Sequence, residues 1–168
     1  MTPRVEVQRA NPDIIAPDDD FIRAWVTRAL EAAAATPGVE VSVRIVAEDE
    51  MRALNRDYRD KDKPTNVLSF PAGQVTGLPE AESMPIGDIV VCADVVSNEA
   101  AEQGKASPDH WAHMLVHGTL HLLGYDHGTE QEAERMEARE VQILAALGYP
   151  DPYQELDREG PSAPSAVV

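Results

Sequence analysis

The chain has 168 residues, with 14 basic and 30 acidic side chains and a formal net charge of −16. That length suits one domain with a real core, and the acidity argues against broad nonspecific binding to nucleic acid while leaving room for a local basic groove. A lone cysteine, Cys92, excludes an intramolecular disulfide; no apolar run approaches membrane-spanning length; and the N-terminus lacks the apolar stretch of a secretory signal, so a cytoplasmic protein with no membrane partner is expected.

Val5-Glu-Val-Gln alternates apolar and polar and predicts a short strand, after which Asn11-Pro12 and Pro17 turn the chain. Asp18 is placed to cap a helix that carries Phe21, Trp25 and Ala29 inward as far as Thr36-Pro37-Gly38. From Val39 to Val46, Val39, Val41, Val43 and Ile45 alternate with Glu40, Ser42 and Arg44, the pattern of a half-buried strand. Met51, Leu54 and Tyr58 then mark the inner side of a short helix from about Glu48 that exposes Arg52, Arg56 and Arg59. Asn66 to Pro71 predicts a strand, Ala72 to Pro85 a surface loop, and Gly87 to Ala93 a strand buried on both faces, with Asp94 capping a helix that reaches about Gly104. Ser107-Pro108 supplies an N-cap and a first helical proline for a helix to about Leu123. Thr129 and Glu132 form a capping box for a last helix, with Ala133, Met136, Ile143, Leu144 and Leu147 inward and a Glu-rich face in solvent. The expected fold is α+β: one domain over residues 1–152, a small mixed sheet of about four strands packed on helices, and a flexible C-terminal tail over 153–168.

All five histidines lie between His110 and His127. His117 and His121 are four apart, so on a helix they share one face. Gly124 can end that helix and turn the chain, returning His127 toward the first two rings. Three neutral imidazoles on one ion, with a fourth position open, make a catalytic zinc site. Asp126 is a candidate hydrogen-bond acceptor behind a ligand ring. The alternative is a closed structural site, with Asp126 or Cys92 as fourth ligand. His113, one turn before His117, is a candidate to orient a ligand or contact substrate; His110 has the weaker claim. The spacing is that of the metzincin proteases, except that Gly118 stands where those enzymes carry their general-base Glu.

A second constellation is Asn55-Arg-Asp-Tyr-Arg59-Asp-Lys-Asp-Lys-Pro-Thr65. Arg44 to Lys63 holds six basic and six acidic residues, so the surplus negative charge lies elsewhere and this is the least repellent place for a polyanion. Lys61 and Lys63 suit ordinary surface ion pairing. The Arg59 guanidinium matches phosphate oxygens in a two-pronged way, and with a metal facing the same phosphate it would stabilise the charge that grows in phosphodiester cleavage.

The histidine stretch, the run from Asn55 to Pro71 and Gly87-Asp-Ile together resemble the bacterial YbeY family of metal-dependent endoribonucleases, over roughly Val5 to Leu147. The resemblance implies a zincin-like site at a helix end with one Zn2+ held by His117, His121 and His127. It implies single-strand-selective RNA cleavage, maturation of the 3′ end of small-subunit (16S) rRNA and ribosome quality control. Its partners would be rRNA and the small ribosomal subunit with its proteins, and no DNA. Arg59 falls on the family's functionally important arginine and His113 on a recurrent position, so both are carried as catalytic candidates. The family usually has Asp where this chain has Asn66; if that residue positions the arginine, it does so here through an amide. Nickel, cobalt or copper would also suit three histidines. Two other functions compete: a metallopeptidase, against which Gly118 counts, and a noncatalytic assembly factor with a structural metal.

Overall fold

The structure, a computed structural model, describes residues 3–33, 38–72, 84–125, 128–146, 148–149 and 152. The expected tail over 153–168, the turn at Thr36-Pro37, most of the predicted loop after Ala72, Asp126, His127 and Leu147 lie outside the described residues.

Strands β1 (Arg4–Arg9), β2 (Val39–Val46), β3 (Val67–Pro71) and β4 (Met84–Cys92) form one mixed sheet in the order β1-β2-β4-β3. β1 and β4 run parallel to β2, and β3 is the antiparallel edge strand. The helices are α1 (Asp19–Ala32), α2 (Glu48–Arg59), α3 (Ala93–Gln103), α4 (Ser107–Leu122) and α5 (Glu130–Ala146). Side-chain alternation divides the core between the two faces of the sheet. Val41, Val43, Ile89 and Val91 point to the larger cluster, built with α1, α4 and α5. Leu68, Val90, Cys92 and Met51 form a smaller one on the opposite face, where α2 packs with Leu54 and Phe70.

Two predicted caps hold: Asp18 Oδ1 accepts from Phe21 N at 2.9 Å, and Thr129 and Glu132 bond reciprocally. Other boundaries shift. Ala106 is the N-cap of α4, with Ser107 already helical, and Asp94 sits inside the first turn of α3, where a negative charge suits the helix dipole. β4 starts at Met84, inside the predicted loop. Tyr58 is not core: it is 66% exposed, and Asn55, 3% exposed, takes the inner place one turn after Met51. The reason is local. Asn55 Nδ2 donates to Lys63 O at 2.8 Å, so an amide rather than an apolar group is needed there to hold the chain leaving α2.

Glycines let α4 approach the sheet. A Cβ on Gly118 would stand 3.0 Å from Ile89 Cγ2 and 3.2 Å from Val67 Cγ2. A Cβ on Gly87 would stand 2.5 Å from Phe70 O and 2.7 Å from Leu122 Cδ2. Between them, Ser69 Oγ donates to Gly118 O at 2.9 Å. α4 ends as expected at Gly124, whose φ of +100° closes a turn in which Tyr125 N reaches Leu120 O at 3.0 Å. In urea unfolding, Gly118→Val should lower stability by about 1–3 kcal/mol through overpacking. Gly124→Ala, where nothing lies within 4 Å, should lose about 1–2 kcal/mol from backbone strain alone.

Candidate metal centre

Four histidines of α4 make one stripe. Ring centroids are 6.1 Å apart for His110–His113, 6.1 Å for His113–His117 and 4.7 Å for His117–His121. Burial grades along it: His110 and His113 are buried, while His117 and His121 are half-buried.

Behind the stripe stands Glu140 of α5, at 0% exposure. Its Oε2 lies 2.6 Å from His117 Nδ1 and its Oε1 lies 3.0 Å from His113 Nε2. Burial pushes this carboxyl up, but the hydrogen bonds from His113 and His117, aided by the charge those rings can carry, outweigh it and bring it down to about 2. Glu140 is therefore an anion at neutral pH and has no proton to give. His117 must donate through Nδ1, which turns the lone pair of Nε2 away from Glu140. Burial lowers the pKa of His113, against the raising effect of Glu140, so its ring is neutral and donates through Nε2.

The donor atoms of His113, His117 and Glu140 lie within 4.8 Å of one another, close enough to hold a metal ion. Both carboxylate oxygens already accept from ring nitrogens, however, and that arrangement is the one found behind metal-bound imidazoles. Glu140 escaped the sequence reading because it belongs to a glutamate-rich helix. The available signal was its register: it falls four after Met136 and three before Ile143, on the buried stripe of α5. The expectation that the acidic face of this helix is solvated fails at this one residue.

The remaining candidates are dispersed. His127 and Asp126 lie outside the described residues. Cys92 is buried on the far face of the sheet from α4, its thiol pushed up by burial, and is not a fourth ligand. His110 Nε2 meets Glu99 Oε1 at 2.9 Å. Asn66 does not reach Arg59; its Nδ2 donates to Glu99 Oε1 at 3.1 Å, a bond that an aspartate could not make. Arg59 ends α2, the helix on the other face from α4, and no hydrogen bond or ion pair joins it to a histidine among the described residues. Gly118 faces Ile89 and Val67, so a carboxylate at that position would press on the sheet, which removes the place for a peptidase base.

The family model described as Endoribonuclease YbeY matches residues 6–148. An Endoribonuclease YbeY of Halorhodospira halophila is 63% identical over 140 residues, covering 83% of this chain and 90% of that protein. One of Alcanivorax borkumensis is 50% identical over 164 residues, covering 97% and 93%. A solution structure of a Thermotoga maritima protein shares the fold, with a TM-score of 0.55 at 23% identity over 90% of this chain and 99% of that one.

The pKa of Glu140, about 2, lies below its ordinary 4.5, so its contacts stabilise the fold fully above pH 4.5 and are lost as pH falls toward 2. The shift corresponds to a contribution of about 3 kcal/mol. His113 adds acid sensitivity from its ordinary 6.5 downward, because the unfolded chain takes up a proton that the buried ring refuses. In metal-free protein, urea midpoints should fall on acidification. Glu140→Gln should be less stable at neutral pH and flatter between pH 4.5 and 2.

Proposed function

The chain belongs to the endoribonuclease YbeY family, and we propose that it is a metal-dependent, single-strand-selective endoribonuclease that holds one Zn2+ through His117, His121 and His127. The observation that carries this reading is the 2.6 Å contact between His117 Nδ1 and the buried carboxylate of Glu140. It presents Nε2 as a ligand beside the His121 ring, 4.7 Å away by centroid. A bound transition ion supplies Lewis-acid polarisation of a phosphodiester.

The protein's own residues bind and orient. Glu140 fixes the His117 ring and keeps its second nitrogen protonated. His113, neutral and buried, is a positioning residue that satisfies the other oxygen of Glu140. Arg59 binds a phosphate of the RNA strand. Arg52 and Arg56 of the same helix are held by Asp62 and Asp57, whereas Arg59 is exposed and has no ion pair among the described residues. In the cell, we infer, the substrate is rRNA in the cytoplasm, at the 3′ end of 16S rRNA and in quality control of the small ribosomal subunit. No helix of the described residues is long and apolar enough to cross a membrane.

The test is purification without a histidine tag, measurement of bound metal, and incubation with single-stranded and duplex rRNA fragments. His117→Ala should lose both metal and cutting. Glu140→Gln should bind metal about 10–100-fold more weakly. Arg59→Ala should keep its metal and cut more slowly because it binds the RNA strand more weakly, so its loss should shrink at saturating RNA. Equal cutting by all four proteins would trace the activity to a contaminant and sink the proposal.

A further inference from the structure

The last turn of α2 carries an exposed ring that the apolar core does not use. Tyr58 is 66% exposed and stands edge-on to Phe70, with centroids 5.3 Å apart and planes at 72°. Among the described residues the other large apolar side chain left in water is Ile15, which lies among aspartates, Asp13 and Asp18 to Asp20. The surroundings of Tyr58 are different. Residues 56–63 are all exposed, and once Arg56 is paired with Asp57 and Arg52 with Asp62, Arg59, Lys61 and Lys63 remain against Asp60 alone. In a chain of net charge −16 this is a local cationic surplus with an aromatic ring in it.

The turn is also held in place. Asp60 takes a left-handed φ of +61°, Lys61 N reaches Asn55 O at 3.2 Å, and the buried Asn55 amide holds Lys63 O. Arg59, Lys61 and Lys63 are thus presented on an ordered backbone. An aromatic ring beside ordered cations is the arrangement by which proteins hold unpaired bases, the ring stacking on a base and the cations meeting phosphates.

We propose that Tyr58, backed by Phe70, is a stacking platform for one unpaired nucleobase of the RNA substrate and sets the preference for single strands. The inference rests on the endoribonuclease reading above. β3 connects the two places: Ser69 faces α4 and bonds to Gly118 beside His117, while its neighbour Phe70 faces the other way and carries Tyr58. β3 is the edge of the sheet, so a flexible strand can pass over that edge from the platform toward the histidines. A duplex offers no free base face to the ring, because its bases are stacked within the helix.

The experiment measures binding of a fluorescent single-stranded oligoribonucleotide to the full chain in chelator, by anisotropy, so that no cutting intervenes. Tyr58→Ala should weaken binding about 10–100-fold, the range for one base–aromatic stack. Tyr58→Phe should bind as the parent does, and duplex affinity should not change. A set of oligonucleotides carrying one abasic site at successive positions supplies the control for a merely structural role. At one position the abasic site should cost the parent protein as much as the substitution does, and cost Tyr58→Ala nothing further. Single-strand affinity unchanged in folded Tyr58→Ala would overturn the platform. Equal losses on single strands and duplex would overturn it as well. Parent protein that binds single strands through Tyr58 yet cuts none with metal restored would instead refute the endoribonuclease reading and leave the platform standing.

Discussion

The contact between His117 and Glu140 is the constraint on which the rest depends. A carboxylate removed from water is costly unless its lone pairs are met. Here two imidazole N–H groups from adjacent turns of α4 meet them, at 2.6 and 3.0 Å. The same bonds do three things. They bind α5 to α4, they keep Glu140 ionised inside the core, and they settle which nitrogen of His117 carries the proton. A ring held from behind by an anion keeps one orientation and one tautomer.

That arrangement needs α4 at a defined height on the sheet. Gly118 and Gly87 allow the close approach, and Ser69 marks the register by bonding to the Gly118 carbonyl. The residue type at 118 is therefore explained by packing. The loss of the protease glutamate and the close seating of the helix are one fact seen from two sides.

The sheet places the histidines and the basic segment on different faces. Tyr58 and Arg59 lie on α2 against Phe70 of β3, and the histidine stripe lies on α4, with β3 at the edge between them. Arg59 and the histidines, which the sequence suggests as one cluster, belong to opposite faces with the β3 edge between them. A second relay, Asn66–Glu99–His110, half-buried at Glu99, ties the start of β3 to α3 and to the first turn of α4. It gives the Asn66 amide its role: Nδ2 donates to the Glu99 carboxylate.

Much of this was legible from residue order, because it is local. Alternation over Val39 to Val46, the Asp18 cap, the Thr129–Glu132 box and the glycine stop after α4 each depend on neighbours within a few positions, and each is present. The four-residue spacing of His117 and His121 is equally local, since helix geometry alone puts them on one face. What residue order left open involves partners far apart in the chain. Glu140 is 23 positions from His117 and looks like any other glutamate of a charged helix until α5 is laid against α4. Tyr58 follows the helical spacing of a core residue, but Asn55 takes the inner place by bonding to Lys63 O, and the Tyr58 ring rests on Phe70 of β3. Burial and pairing between distant segments are properties of the packed chain, and no window of sequence contains both members of such a pair.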